Sequence, residues 1–201
     1  MLKKLTKMIN KQYHIIKDAL PDELCDHLIV DNFIYNKDNK LKVIPSNTDS
    51  ILSNTKMSVE MVAHPCKSDL GKFFKQNART INKECDWHFH IDRIESIQII
   101  KLKEGSSYPF HMDLTKPRKG KGFHQKQRKL SCILALNSPS EYIGGAFKLQ
   151  DINNRTLNNI QSQLTKGSLL IFPSFIPHSM DEIEHGQRYN IVAWIEGLSF
   201  R

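Results

Sequence analysis

The protein has 201 residues and a mass of 23.3 kDa; 39% of its residues are hydrophobic and 25% are charged. This length predicts one domain with a sizeable core, and the composition excludes a disordered or collagen-like chain. No apolar run reaches the ~18 residues that a membrane helix requires. No apolar stretch follows the lysines of the first 16 residues, so we expect no signal peptide.

The four cysteines form no Cys-x-x-Cys pair and no disulfide-like framework. We therefore expect a reduced, cytoplasmic protein without a membrane partner. The abundance of Lys, Asn and Ile is typical of an AT-rich coding source. This favours a bacterial cell or a virus-infected host cell as its setting.

The net charge of +8 is concentrated in two segments. Residues 1–17 contain five lysines and no acid, and Lys116–Lys129 contains seven Lys or Arg and no acid. The rest of the chain then carries a net charge of −4. This distribution indicates a local anionic partner or a solvated loop, and not a nucleic-acid binder that is basic throughout.

Two helices are expected in the first half, behind a basic N-terminal arm over residues 1–17. Asp18–Asp31 has Pro21 at a position suited to a first turn, with acidic residues early. Asp69–Lys83 places Leu70, Phe73 and Phe74 on one face. We interpret residues 18–86 as helical support for a single domain that spans residues 18–201.

Short β-type runs separated by turn signals follow the helices. They predict an α+β, mainly β protein with a β-sandwich or jelly roll over residues 87–201 and flanking N-terminal helices. The runs are Trp87–Ile91, Ser96–Leu102, Pro109–Asp113, Leu130–Leu136, Gly145–Gln150, Gly167–Phe172 and Arg188–Ile195.

A candidate metal site begins at the end of one of these strands. His111 and Asp113 are two residues apart, so in a strand their side chains project from the same face. His178 follows another strand and a proline-bounded turn. Two histidines and a carboxylate on one face leave open the positions that Fe(II) oxygenases need for cosubstrate and O₂.

Arg188 is a second candidate, ten residues after His178. Alternation over Arg188–Trp194 places it on one face with Asn190, Val192 and Trp194, where a buried anionic partner is expected. An internal ion pair is the alternative, with one of the acids Asp181, Glu182 and Glu184.

The order of motifs resembles a known family over roughly Leu20 to Trp194. Three motifs carry the resemblance: a Gly-x-x-Tyr-x-x-His-x-Asp segment, a strand followed by a glycine pair, and a Gly-x-x-x-x-Phe-Pro-Ser segment before the last ligands. Here they read Gly105, Tyr108, His111 and Asp113; Leu136-Asn137 and Gly144-Gly145; and Gly167, Phe172-Pro173-Ser174, His178, Arg188 and Trp194. The pattern is similar to the Fe(II)- and 2-oxoglutarate-dependent oxygenases of the prolyl 4-hydroxylase-like family, including short bacterial and phage forms.

The resemblance implies a double-stranded β-helix, a jelly roll of the cupin type. It implies Fe(II) on the three candidate metal ligands, 2-oxoglutarate and O₂ as cosubstrates, and ascorbate as an additional cofactor. It also implies that Arg188 binds the distal carboxylate of 2-oxoglutarate and that Tyr108 and Ser131 line its pocket. Two pocket tyrosines of the family are replaced by Leu102 and Ala135, which we expect to affect cosubstrate affinity.

A second His-x-Asp lies upstream, in the run from His88 through His90 to Asp92. The family places no ligand there, so we interpret these residues as structural or exposed. Zinc bound by Cys and His is disfavoured because no cysteine pair has ligand spacing. Nucleophilic catalysis by Ser131 or Cys132 is disfavoured because the glycine-flanked elbow is absent.

For the substrate we favour a prolyl residue of a protein or peptide. The alternatives are a free amino acid, a nucleotide or nucleic acid, or a non-catalytic metal-binding protein of the cupin type. The basic segment predicts a mobile substrate loop that attracts an acidic partner, with Trp194 nearby. The lysines assigned to that loop are Lys119, Lys121, Lys126 and Lys129.

Overall fold

The structure, a computed structural model, describes residues 11–35, 59–119, 125–151, 153–158 and 160–200. Two helices precede most of the strands: α1 spans Asp22–Val30 and α2 spans Asp69–Glu84. A π-helical turn, Asp31–Tyr35, extends α1. In the described residues, no helix is both long and apolar enough to cross a membrane.

Helix α2 begins at the predicted residue, Asp69, and ends one residue later than predicted, at Glu84. The Ser68 side chain accepts a hydrogen bond from the Gly71 amide and so caps the first turn. Gly71 passes close to the carbonyl of Cys66, where a Cβ would lie only 2.1 Å away. Helix α1 begins after Pro21, four residues later than predicted, because Asp18 has a positive φ of 49°.

Thirteen strands are described, all paired antiparallel. In chain order, β1 to β13 are His14–Ile16, Val59–His64, Arg93–Leu102, Tyr108–His111, Arg118–Lys119, Gln125–Ala135, Tyr142–Gly144, Phe147–Gln150, Thr156–Leu157, Leu169–Pro173, His178–Met180, Ile183–Gly186 and Arg188–Leu198. Seven form a large sheet in the order β1-β10-β6-β13-β3-β2, with β5 paired to β6. A second sheet has the order β4-β11-β8-β9, and β12 pairs with β7.

The large sheet is covered on both faces. Its helix-facing side chains, such as Ile97, Ile99 and Ile191, pack with Phe74 and Ile81 of α2. Its opposite face packs against the second sheet and its connections, with a cluster of Ile133, Phe147, Leu149, Ile160, Leu170 and Phe172. Alternation in β3 and β13 therefore sends one set of side chains to the helices and the other toward the space between the sheets.

One predicted strand is wrong. Trp87–Ile91 has the alternating aromatic pattern of a strand but forms no ladder. His88 has a positive φ of 54°, which breaks the extended backbone. The side chain of Asn82 instead bonds both backbone groups of Phe89, so helix α2 fixes this segment.

The N-terminal half contributes to the sheet as well as to its helical cover. β1 lies within the predicted basic arm and pairs with β10, and β2 lies within the predicted helical support and pairs with β3. Both are edge strands, whose partners lie far along the chain. The ranges expected to form an arm (1–17) and a helical support (18–86) therefore each contribute one strand to the large sheet.

Candidate metal and cosubstrate site

Three side chains converge where β4 and β11 pair. His111 ends β4, His178 begins β11, and the two residues face each other in the ladder. Asp113 follows β4 by two residues. One ligand atom from each of the three lies within 4.8 Å of the other two. The sequence-predicted triad is therefore assembled.

Both imidazoles are oriented for metal binding. His111 Nδ1 lies 2.9 Å from the Pro109 carbonyl oxygen, and His178 Nδ1 lies 3.0 Å from that of Ile176. Carbonyls only accept, so each Nδ1 donates its proton, and Nε2 is the nitrogen of each ring that can bind a metal. The two Nε2 atoms lie 3.8 Å and 3.5 Å from oxygens of Asp113. Burial lowers the pKa of His178, which favours the neutral, ligating imidazole.

This donor set fits Fe(II). Two imidazole nitrogens and one carboxylate on one side of a metal form the facial triad of non-haem iron oxygenases. The upstream histidines pair elsewhere, as expected. His88 contacts Asp86, His90 Nδ1 accepts from the Leu198 amide at 3.4 Å, and Asp92 pairs with Lys126.

Ser131 supports the metal carboxylate, a role that the sequence did not indicate. Its hydroxyl donates to Asp113 Oδ2 at 2.7 Å and lies 3.0 Å from the Ser174 hydroxyl. Ser131 is fully buried and does not line the cavity described below. The prediction that Ser131 contacts the cosubstrate is therefore not supported by its position, because its hydroxyl is directed at Asp113.

A cavity of about 170 Å³ connects the triad to Arg188. Its walls come from six strands of the two sheets and from Asp113, and they combine charged and polar side chains with apolar ones. The lining residues are Gln98, Ile100, Leu102, Tyr108, His111, Asp113, Ile133, Phe147, His178, Ser179, Met180, Arg188, Asn190, Val192 and Trp194.

Arg188 is buried, with only 2% of its surface exposed. Its Nη1 donates to the Gly145 carbonyl at 2.7 Å, and its Nε donates to Asn190 Oδ1 at 3.3 Å. Within the described part of the chain, no carboxylate pairs with it; of the acids considered as alternatives, Asp181 pairs with Lys148. Burial lowers the pKa of Arg188, as expected for a cation without a buried counter-ion. This geometry fits an anionic ligand in the cavity.

Tyr108 lines the cavity beside His111. Its ring is 6.0 Å from that of His111, centroid to centroid, and its side chain lines the cavity. Burial, and secondarily the charge of Asp113, raises the pKa of Tyr108 to about 12. The phenol is therefore neutral and able to donate a hydrogen bond into the cavity.

One charged residue that the sequence does not single out, Arg128, lies beside Trp194. The Arg128 guanidinium lies 4.1 Å from the centre of the Trp194 ring, pairs with Glu95, and approaches Asp113 Oδ1 to 4.0 Å. The indole Nε1 of Trp194 is buried without a hydrogen-bond partner among the described residues. Nothing in the basic run distinguishes Arg128 from its neighbours, because its role depends on contacts with distant strands.

The predicted basic loop is partly wrong. Lys126 and Lys129 lie in β6; Lys126 pairs with Asp92, and Lys129 is 3% exposed with its Nζ 3.1 Å from the centre of the Phe200 ring. Neither belongs to a mobile loop, because the pairing of β6 with β13 and β5 fixes their backbone. Lys119 lies in β5, and Lys121 lies outside the described residues.

Comparisons with known proteins agree with this geometry. The sequence model of the 2OG-Fe(II) oxygenase superfamily matches residues 97–196, a stretch that includes all three triad residues and Arg188. A PKHD-type hydroxylase of Synechococcus elongatus is 31% identical over 104 residues, which are 52% of this chain and 44% of that protein. The chain thus matches less than half the length of this relative.

Two solved structures are similar over almost the whole chain. A prolyl-4-hydroxylase of Pseudomonas putida superposes with a TM-score of 0.64 at 15% identity, over 97% of this chain and 98% of that one. A prolyl hydroxylase of Trichoplax adhaerens, in complex with a peptide fragment of the hypoxia inducible factor oxygen degradation domain, gives 0.61 at 16% identity, over 96% and 89%. The likeness confirms the expected fold, a double-stranded β-helix that is mainly β. The chain belongs to the 2OG-Fe(II) oxygenase superfamily.

Proposed function

We propose that this protein is an Fe(II)- and 2-oxoglutarate-dependent dioxygenase that hydroxylates a C–H bond of a prolyl residue in a protein or peptide. One observation carries the proposal: a complete His-Asp-His triad and a buried arginine that pairs with no carboxylate of the described residues face the same cavity. A site that only stored metal would not need the second feature.

The triad would hold Fe(II) through His111 Nε2, His178 Nε2 and an oxygen of Asp113. The bound iron supplies the oxidising chemistry, which converts 2-oxoglutarate and O₂ to succinate and CO₂ and places one oxygen on the substrate. Ser131 fixes the orientation of the Asp113 carboxylate. The protein therefore contributes ligand geometry and support from neighbouring side chains.

The cavity walls orient the cosubstrate and limit water. The Arg188 guanidinium binds the distal carboxylate, for which its planar, multiple donors are suited. Tyr108 offers a neutral hydroxyl to the same cavity. Apolar side chains of Ile100, Met180 and Val192 also line the cavity. They exclude water, and this strengthens the interactions between charged groups inside the cavity.

A peptide substrate is supported by the similar proteins. The similar structures include prolyl hydroxylases, one of them in complex with a peptide fragment. The Arg128 guanidinium lies 4.0 Å from Asp113 at the metal end of the cavity, where its positive charge favours an acidic polypeptide. The lysines of the segment 116–121 favour an acidic peptide.

The proposal is tested by a turnover screen. Purified protein with Fe(II), 2-oxoglutarate and ascorbate is incubated with Pro-containing peptides, free amino acids or nucleotides, and a mass gain of one oxygen is read for each. We expect the gain only on peptides. Succinate formed without any substrate separates an enzyme from a metal-binding protein. A gain on nucleotides alone, or no succinate at all, would contradict the proposal.

The proposed preference for an acidic peptide is tested by the salt dependence of turnover. Attraction between charges is screened over about 8 Å at physiological ionic strength, so added salt should raise the apparent KM for the peptide. Replacing Lys119 and Lys121 by Ser should remove most of that response. Lys72→Ser with Lys75→Ser is the matched control, because α2 packs on the sheet face opposite the cavity. An unchanged salt response in the first pair would refute an electrostatic role.

A further inference from the structure

Two exposed phenylalanines lie side by side near the metal triad. Phe175 and Phe200 are 39% and 44% exposed, and their ring centroids are 6.0 Å apart with the ring planes at 70°. The ring of Phe89 lies 6.2 Å from the first and 5.6 Å from the second, at 84° to each. Three rings with nearly perpendicular planes form a corner rather than a flat surface. We call these three side chains the aromatic platform.

The platform adjoins the metal-binding carboxylate. Phe175 directly follows Ser174, whose hydroxyl lies 3.0 Å from that of Ser131. Ser131 in turn donates to Asp113 Oδ2 at 2.7 Å. Because consecutive Cα atoms are about 3.8 Å apart, these contacts place the backbone of Phe175 within about 12 Å of Asp113 Oδ2. A peptide that reaches the metal therefore passes close to the platform.

Phe200 is held in place although its ring is exposed. It follows β13, the strand that carries Trp194 into the cavity. Its backbone N–H donates to Gln127 Oε1 at 3.3 Å, and the Lys129 ammonium lies 3.1 Å from the centre of its ring. Gln127 Nε2 also donates to the carbonyl of Thr115, two residues after the metal-binding Asp113, at 2.7 Å. A ring fixed in this way loses little conformational freedom when it binds a ligand.

The charges around the platform favour a neutral, apolar ligand. Cations are common ligands of aromatic faces, but the Lys129 ammonium already occupies the Phe200 ring and would repel a second positive charge. Anions are disfavoured because the face of an aromatic ring is itself negative. The ligand that remains is an uncharged ring or aliphatic group.

Proline meets this requirement in a peptide. Proline-rich segments in the polyproline II conformation bind grooves lined by aromatic side chains, because their backbone is already extended and little entropy is lost. The polyproline II helix rises about 3.1 Å per residue, so a span of about 12 Å corresponds to about four residues. A prolyl residue at the metal and a second proline about four residues away therefore match the two sites.

We propose that the aromatic platform binds a second proline of the peptide substrate, about four residues from the prolyl residue at the metal. The inference rests on the proposed function and narrows its substrate class to proline-rich segments in the polyproline II conformation. The platform thus selects the sequence around the target residue, while the triad and Arg188 serve the reaction itself.

The test is a binding measurement that needs no turnover. Protein loaded with Mn(II) and 2-oxoglutarate is titrated without O₂ into fluorescently labelled peptides, and anisotropy is read. Each peptide has one proline in a Gly/Ser background, alone or with a second proline about three to five residues before or after it. At the matching offset the second proline should tighten binding by about three- to tenfold, as for one aromatic contact.

Variants of the platform separate its aromatic faces from general apolar surface. Phe200→Ser should remove the gain from the second proline and leave binding of the single-proline peptide unchanged. Phe200→Tyr keeps the ring and should keep the gain, whereas Phe200→Leu keeps apolar surface without a ring and should lose it. Leu24→Ser, on α1 and 51% exposed in the wild type, is the matched control. Phe175→Ser tests the same surface if Phe200→Ser does not fold.

Four results would overturn the inference. They are no gain from a second proline at any offset, a full gain in Phe200→Ser, an equal gain when valine replaces the second proline, and a dimer that Phe200→Ser dissociates. The last would assign the platform to a second copy of this chain. Each leaves the proposed function intact if the wild-type protein hydroxylates a peptide in the turnover screen. Two-proline binding without hydroxylation of any peptide would overturn the proposed function and leave the binding role of the platform standing.

Discussion

The hydroxyl of Ser131 lies 2.7 Å from Oδ2 of Asp113, so a buried side chain on the large sheet holds the carboxylate of the metal triad. The Ser174 hydroxyl lies 3.0 Å from that of Ser131 and continues the chain of contacts. Such supporting hydrogen bonds orient ligands and change metal affinity. The pairing of β6 with β10 therefore brings the two serines together next to the metal-binding carboxylate.

Removing the serine hydroxyl should weaken metal binding without unfolding the protein. For Ser131→Ala we expect about a 10- to 100-fold loss of Fe(II) affinity, measured by anaerobic titration. Ser131→Thr keeps the hydroxyl and is the matched control, with affinity close to wild type. If Ser131→Ala bound iron as tightly as wild type, the hydrogen bond from Ser131 to Asp113 would not contribute to metal affinity.

The second prediction distinguishes the two His-x-Asp motifs. Asp113→Ala should abolish stoichiometric Fe(II) binding and succinate formation, because one of three ligands is lost. His90→Ala should retain both, since His90 accepts only a backbone hydrogen bond far along the chain. Bound iron per chain is measured directly, and circular dichroism confirms folding. Iron retained in the first variant and lost in the second would mean that the ligand set is misassigned.

The third prediction concerns the charge at the other end of the cavity. Arg188→Met should raise the 2-oxoglutarate concentration needed for half-maximal succinate formation by about two to three orders of magnitude, as for loss of one partner of a buried charge pair. Iron affinity should change little, because the triad does not contact Arg188. A cosubstrate requirement equal to that of wild type would show that the guanidinium serves only the structure.

The triad and Arg188 could be predicted because their signals are local. The two-residue spacing predicts a shared face for His111 and Asp113, and the two side chains do converge although β4 ends at His111. Alternation in β13 fixes the shared face of Arg188 and Asn190. Most central strands could be predicted for the same reason. The short edge strands β1 and β2 could not, because their partners lie far along the chain and their own patterns are brief.

Contacts between distant strands account for the other differences. The partnership of Ser131 with Asp113 depends on how β6 faces β4. The sequence presents Lys129 as one charge in a solvated run, but in the structure it is the extra residue of a β-bulge. Ile195 and Glu196 are adjacent in β13, and their partners in β6, Leu130 and Arg128, leave Lys129 unpaired between them. At this bulge the Lys129 ammonium contacts the Phe200 ring. No feature of the basic segment indicates this contact.

The buried ammonium of Lys129 gives the last prediction, a pH-dependent cost in stability. Burial lowers the pKa of Lys129 from 10.5 to about 8, and the Phe200 ring offsets only part of the lost hydration. At pH 7 the group is protonated in both folded and unfolded states, so the cost is fully present. Above about pH 8 the folded state releases its proton while the unfolded state retains it up to about 10.5. The free energy of unfolding therefore rises with pH through this window.

Lys129→Met removes the charge and keeps an apolar stem of similar length. The pKa shift sets an upper bound of about 3 kcal/mol on the gain in the free energy of unfolding at pH 7. We expect the gain to shrink toward zero as the pH rises from 8 to 10.5, measured by urea unfolding at several pH values. Lys83→Met, which removes an exposed charge on α2, is the control and should show no such pH dependence. A gain that stays constant with pH would mean that it does not come from removing the ammonium charge.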